Sequence, residues 1–215
     1  WQDLWHGDLL HATAITLQRA ALGYAIALAL GTVFGLLMVR VRLLRAALAP
    51  LVTGLQSMPS VAWFPLAILL FRLSEAAILF VVVLGAAPAI ANGLLAGVDH
   101  IPPLVVRAGR VLGAHGWKLY RHVLLPAALP GFVTGLKQGW AFAWRSLMAG
   151  ELLVIIPGRP SLGVQLQFAR ELSDAAGLLA AMIVVLLIGV ALDGLLFGRL
   201  EHGIRARRGL LDPGA

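Results

Sequence analysis

The stretch RAGRVLGAHGWKLYRHVLLP, Arg107–Pro126, decides the fold through its contrast with what flanks it. It is basic, marked by glycines and closed by Leu-Pro, yet it interrupts a chain that is 60% hydrophobic and 13% charged, with a mean hydropathy of +0.90. That is more apolar surface than a 215-residue globular core can bury. Uncharged runs reach the length a bilayer core requires of a helix, about 20 residues: Ala20 to Val39, Ala46 to Phe71, Ala76 to Val98 and Ala175 to Leu192. They are continuously apolar, whereas the strands of a membrane β-barrel alternate with a period of two. The reading is an all-α polytopic membrane protein, a single domain over residues 1–215.

The run Ala46–Phe71 is broken at Ser57-Met58-Pro59-Ser60 and carries a second proline at Pro65. Proline removes a backbone donor and disfavours helix in the residue before it, so one crossing built from two helical pieces is expected. A fourth crossing, from about Ala127 to Gly150, is more polar because Lys137, Arg145 and Glu151 lie in or beside it. A loop at Pro157–Ser161 leads to a short helix, Leu162–Glu171, and the last crossing begins near Ala175. Residues Trp1 to Arg19, with Trp1, Trp5, Asp3 and Asp8, read as an amphipathic start suited to the membrane interface.

Counting basic residues sets the topology. With Arg107–Pro126 in the cytoplasm, eleven of the seventeen Lys/Arg fall on that side: Arg40, Arg42, Arg45, Arg107, Arg110, Lys118, Arg121, Arg199, Arg205, Arg207 and Arg208. The other side receives Arg19, Arg72, Arg159 and Arg170. This asymmetry predicts five crossings, with the N-terminus outside and the C-terminus inside. The C-terminal basic run then lies beside anionic membrane lipid.

Several chemistries are excluded or unsupported. Without cysteine there is no disulfide framework or thiolate site, and the histidines at 6, 11, 100, 115, 122 and 202 form no metal-ligand pattern. A net charge of +7 is the only feature pointing to nucleic acid, and in a membrane protein the distribution of charge matters more. No GxxxxGK[ST] phosphate loop occurs, so the chain is not expected to hydrolyse ATP itself, and no cofactor bound by this chain is expected. The chain opens at Trp1 rather than Met, and no signal peptide is visible.

The cytoplasmic loop, about residues 99–126, is longer than a helix connection needs. Val105–Leu112 reads as a short helix, Gly113 and Gly116 as its stop and turn, and Trp117–Leu125 as a second helix closed by Pro126. Such a knob can insert into a groove on a soluble partner. Its spacing resembles the cytoplasmic signature of permease subunits of binding-protein-dependent ABC importers: Glu-Ala-Ala, three residues, Gly, nine residues, Ile, any residue, Leu-Pro. Here the positions are Arg107-Ala108-Gly109, Gly113 and Val123-Leu124-Leu125-Pro126, with Arg107 reversing the charge of the family's acidic residue and Gly109 replacing an alanine. Met58-Pro59, Val61-Ala62-Trp63-Phe64-Pro65 and Leu73-Ser74-Glu75 are similar to the broken second span of the nitrate, sulfonate and taurine branch. Trp144 followed by Ala149-Gly150-Glu151-Leu152 is similar to that branch's fourth span. Members of the family often carry one further helix ahead of the region that begins here.

The resemblance implies a permease subunit in the bacterial inner membrane, working as a homodimer by alternating access. Its partners would be ABC ATPase subunits, which carry ATP and Mg, and an extracytoplasmic solute-binding protein. It implies a coupling helix through which Arg107, Ala108, Gly109, Arg110, Gly113, Leu125 and Pro126 dock the ATPase, and a small oxyanion or organosulfonate as solute. An ion-gradient-driven carrier or channel is the alternative, although no internal repeat of the kind common in such carriers is present. A purely structural membrane subunit is a third reading.

Translocation-path candidates follow from cost. A guanidinium within a span costs on the order of 2.5–3.5 kcal/mol on insertion scales, so Arg145 either faces a polar path, where it attracts an anion, or is paired or snorkelling. Lys137, Trp140, Trp144, Leu147 and Glu151 recur on one helical face, which either lines the path or packs. Gln56, Ser57, Met58, Pro59 and Ser60 break a helix at membrane depth, where freed backbone groups must face protein or a water-filled cavity. Asn92, near Pro88, either joins that path or makes an interhelical hydrogen bond. Gly31 and Gly35 form a GxxxG close-packing motif.

Overall fold

The structure, a computed structural model, describes residues 2–200 and 203, with side chains for residues 9–195 and 197–200. No strand occurs among the described residues. The order is α1 (Gln2–Arg40), α2 (Arg42–Ser57), a 3-10 turn (Ser60–Trp63), α3 (Phe64–Phe71), α4 (Glu75–Asp99), α5 (Pro103–Val111), α6 (Trp117–Leu119), a π-helical turn (Tyr120–Leu124), α7 (Leu125–Leu153), α8 (Leu162–Glu171) and α9 (Ala175–Leu192), which runs on through a second π-helical stretch (Asp193–Gly198).

Helix α4 is the centre of the bundle, with α1 on one side and α7 on the other. Both contacts are made by small residues. On α1, a Cβ added at Gly31 would meet the Ala87 carbonyl oxygen at 2.6 Å, and one at Gly35 would meet the Ala91 Cα at 3.2 Å, so the GxxxG pair read from sequence does seat α1 on α4. On the other side Gly93 and Gly97 face Gly131 and Gly135: a Cβ at Gly135 would meet the Gly93 Cα at 2.6 Å, and one at Gly97 the Ala128 carbonyl oxygen at 2.6 Å. Lipid tails are as apolar as leucine, so burial alone does not drive helices together in a membrane; close backbone approach and its dispersion contacts do. A core of Phe64, Ile78, Val81, Val82, Ile90 and Leu147 fills the space beside the seams.

Ion pairs fix the vertical register. Arg19 of α1 bonds Glu75 at the start of α4, with Nη2 to Oε1 2.6 Å and Nε to Oε2 2.7 Å, and Arg45 of α2 reaches Asp99 at its end at 2.6 Å. Helix α4 therefore runs parallel to α1, and its 25 residues span about 36 Å. The α2–α3 passage must return the chain from one level to the other between these two parallel helices, and it does so through a bend of 105° at the break after Ser57. On the far side Lys137 of α7 pairs with Asp193 at 3.4 Å, setting α9 antiparallel to α7.

Three helices are long and apolar enough to cross a membrane by themselves, Leu9–Arg40, Glu75–Asp99 and Ala175–Leu195, and the bent α2–α3 pair makes a fourth if it is one span. Helix α7 has the length, 29 residues, but not the apolarity. It is packed against α4, α1 and α8, so its polar groups need not face lipid. Helix α9 is apolar all round and leaves Leu179, Ile183, Leu186, Leu187 and Val190 exposed, the surface of a helix that meets lipid rather than water.

Two expectations change. Residues 2–19 are not a separate interfacial segment but the first half of α1, and Ala12, Thr16 and Arg19 are buried because partners on α4 and α7 satisfy the polar pair. The side chains of Asp3, Trp5 and Asp8, residue Trp1 and the basic run at Arg205, Arg207 and Arg208 lie outside the described residues. Pro126 does not close a helix. The π-helical turn at Tyr120–Leu124 carries the chain into α7 without a break, and Pro126 follows it directly as the second residue of α7.

Substituting Gly135 by Val should lower the unfolding midpoint in detergent, a loss of about 2 kcal/mol or more, because the β-carbon has backbone in its way. Gly54→Ala, where nothing lies within 4 Å of the added carbon, should leave stability unchanged or raise it by up to about 1 kcal/mol.

Candidate translocation and docking sites

The break after α2 builds the first site. Ser57 Oγ donates to the Gly54 carbonyl oxygen at 2.7 Å, and Met58 and Pro59 are extended, ψ 132° and 131°, so the helix ends with its last side chains turned toward α4 and α7. There a cavity of ≈ 270 Å³ is lined by Gln56, Met58, Ser60, Gly85, Phe142 and Arg145. Gln56 also lines a larger cavity of ≈ 700 Å³, together with Asn92, Thr134 and Gln138, which reaches Asp99, His100 and Val105. Five of the path residues expected from sequence, Gln56, Met58, Ser60, Asn92 and Arg145, are thus brought to two neighbouring cavities that share Gln56.

Arg145 is exposed. Its Nε donates to the Ala141 carbonyl oxygen at 3.0 Å and its guanidinium lies 4.8 Å from the centroid of the Phe142 ring, while no carboxylate pairs with it among the described residues. Gln56 Nε2 is buried without a hydrogen-bond partner. The smaller cavity therefore carries a cation with no acid partner among the described residues and no acid on its wall, and Gln56, whose amide nitrogen is buried, lies between it and the larger cavity. Asn92 makes no side-chain hydrogen bond among the described residues, against the packing role that sequence left open for it.

The stripe Lys137, Trp140, Trp144, Leu147 and Glu151 does form one face of α7, and that face turns toward α1 and α9. Tyr24 of α1 meets Trp140 edge-on with centroids 5.3 Å apart and donates its hydroxyl to the Leu136 carbonyl oxygen at 2.9 Å. Trp140 and Trp144 stack at 6.1 Å, and the Trp144 indole covers Gly189 of α9.

Glu151 is fully buried and its carboxylate is occupied by the protein itself. It accepts from Thr16 Oγ1 at 2.9 Å, Arg19 Nη1 at 3.0 Å and the Gly163 backbone N–H at 3.1 Å. The Leu162 N–H donates to Thr16 Oγ1 at 3.0 Å, so one carboxylate and one hydroxyl satisfy two donors in the first turn of α8, where negative charge is favourable. Arg19 is shared between Glu75 and Glu151, whereas its place in the sequence marks it only as a topology determinant. Thr134 and Gln138 were also missed, since both are ordinary residues on a helix whose orientation sequence does not give.

The second site is the knob. Helix α5 ends in a turn at Leu112, and Gly113 takes φ +84° and Gly116 φ +53°, values that disfavour any side chain. Gly109, read as a departure from alanine, is buried, and a Cβ there would meet Val123 Cγ2 at 2.8 Å. The glycine lets α5 fold down on the π-helical turn. Arg107, Ala108, Arg110, Gly113 and Pro126 are exposed and Leu125 is half-buried, all within one compact unit.

Residues 27–206 match the model of the family described as the binding-protein-dependent transport system inner membrane component. The chain belongs to that family. Among relatives of this permease, the nitrate import permease protein NrtB of Leptolyngbya laminosa is 32% identical over 85% of the chain and 64% of its own length. The taurine transport system permease protein TauC of Escherichia coli (strain K12) is 31% identical over 99% of the chain and 73% of its own length. The chain thus spans about two thirds to three quarters of these relatives. A crystal structure of an amino acid ABC transporter with histidines superposes with a TM-score of 0.73 at 15% identity, covering 96% of each chain, which establishes the shared fold. As the permease of an ABC importer the chain is a membrane protein and not itself an enzyme, and its family works with an ATPase and a solute-binding protein.

Glu151→Leu should destabilise the permease by about 3 kcal/mol or more, read from its unfolding midpoint, since Thr16 and the Gly163 N–H lose their acceptor and Arg19 loses half its compensation. Arg159, 3.6 Å from Glu75 and half-exposed, should cost less than about 1 kcal/mol when changed to Ala.

Proposed function

We propose that this permease crosses the membrane five times with its N-terminal end outside and its C-terminal end in the cytoplasm of a bacterial cell, and pairs with a second copy of itself. The knob formed by α5, α6 and the π-helical turn is its coupling element, seated on an ABC ATPase whose ATP and Mg drive the cycle. Solute arrives from an extracytoplasmic binding protein. The two ion-pair levels support five passages, because each long helix and the α2–α3 elbow connects one level to the other.

The observation that carries this reading is mechanical. The second half of the knob runs without a break into α7, and α7 bears Arg145 and Gln138 on the cavity walls. Val105 of α5 lines the larger cavity directly. A displacement of the knob by a closing ATPase pair therefore moves both a wall of the path and the helix that carries its cation. Alternating access needs such a rigid link between the motor and the cavity.

The solute class is a small oxyanion or organosulfonate, held first by Arg145 and Gln56. The cation without an acid partner and the amide donor without an acceptor support it. A nitrate permease and a taurine permease among the relatives have names consistent with that chemistry.

Deletion of residues 109–118 should abolish co-purification with the ATPase subunit while leaving the permease in the membrane. Persistence of the complex after that deletion would refute the docking role. Arg145→Gln should reduce anion-stimulated ATP hydrolysis and uptake in the reconstituted complex about tenfold or more, with Arg145→Lys intermediate, the loss expected when one charge-assisted hydrogen bond is removed. Unchanged uptake in Arg145→Gln would remove this residue from the path.

A further inference from the structure

The knob is not only exposed but lopsided. At about 100° per residue, Leu104, Val105, Ala108, Val111 and Leu112 occupy an arc of about 120° on α5. Val111 and Leu112 are 87% and 86% exposed. Gly109, next to one edge of that arc, is packed down on Val123 and Leu119. Arg107 and Arg110 follow one another beyond the other edge and are exposed, and Lys118 and Arg121 are exposed on the second half of the knob. None of the four pairs with a carboxylate among the described residues, and the sequence has no acidic residue between Asp99 and Glu151. The bundle thus presents a protruding apolar ridge with a basic border along one side, which no carboxylate among the described residues neutralises.

We infer that the ATPase subunit serving this permease receives α5 in an apolar cleft whose wall facing Arg107 and Arg110 is acidic, and that this charge match selects the ATPase. The inference rests on the docking reading above and adds the chemistry of the partner. Apolar residues on a rigid plug supply contact area, while charges at the rim of an interface govern steering and reject wrong partners. An anionic lipid surface fits less well. A helix held by headgroups must turn its apolar face into the acyl boundary. Here Val105 of that face lines the larger cavity and Gly109 fixes α5 on Val123, so α5 cannot turn independently of the bundle.

The test uses the permease in nanodiscs of zwitterionic lipid and the purified ATPase subunit of the same transporter, with binding measured at low and high salt. The Arg107→Glu, Arg110→Glu double variant should bind at least about tenfold more weakly at low salt, and the double lysine variant should retain binding. Wild-type affinity should fall with salt, and changing the facing acidic residue of the ATPase to Lys should restore binding to the glutamate variant. Both positions are exposed and unpaired, so the variants should keep the wild-type unfolding midpoint. Equal affinity of wild type and glutamate variant would overturn the charge match while leaving the docking reading intact. Absence of any wild-type binding would overturn the docking reading itself. Binding that requires anionic lipid in the disc would assign the basic edge to headgroups and overturn the inference.

Discussion

Where Gly93 and Gly97 of α4 meet Gly131 and Gly135 of α7, no side chain intervenes and the two helices touch through their backbones. The contact holds α7 close along its first half, and its position determines what α7 can present elsewhere. With one face of the helix sealed against α4, Trp140 and Trp144 turn toward α1 and α9, and Gln138 and Arg145 are left on the cavities beside the α2 break. In water such a seam would be a poor substitute for a leucine core. In lipid, where apolar side chains gain little by meeting each other, dispersion between closely approaching backbones contributes more.

The buried charge cluster at the opposite level has a different character. Arg19, Glu75 and Glu151 sit where an isolated charge is costly, and the cost is offset because the guanidinium is shared between two carboxylates and Glu151 takes further donors from Thr16 and Gly163. Its geometric effect exceeds any net stabilisation. It ties α1, α4, α7 and the start of α8 at one height, so the segment after α7 is anchored to the bundle although it is short and irregular. The pair of levels, this one and Arg45–Asp99, gives the helices a common register that packing of small residues alone would leave free to slide.

In the proposed function, motor coupling and solute handling converge on α7. Its first turn is continuous with the knob, its middle lines the cavities, and its last turns are pinned by Glu151. A helix held at one end and pushed at the other is a natural lever. Arg145, about 9 Å along the helix from Glu151, lies between the fixed and the moving ends.

The chain by itself determined the class of structure, because the solvent decides it: long, continuously apolar runs with basic flanks satisfy every backbone group in lipid by forming helices. The break at Ser57–Ser60, the short helix Leu162–Glu171 and the knob's glycines were legible for the same reason, since proline, glycine and capping act within a few residues. Tertiary structure alone decided which face of each helix meets which neighbour. The polar residues of α7 share one sequence but divide between Glu151, buried among Thr16, Arg19 and Gly163, and Gln138 and Arg145, which are left on cavity walls, according to where α4 lies. Arg19 and Glu151 are 132 residues apart, and Gly93 and Gly135 are joined only by the crossing itself. Periodicity describes a helix surface in its own frame, and the rotation of that frame about its axis is set by contacts from distant parts of the chain.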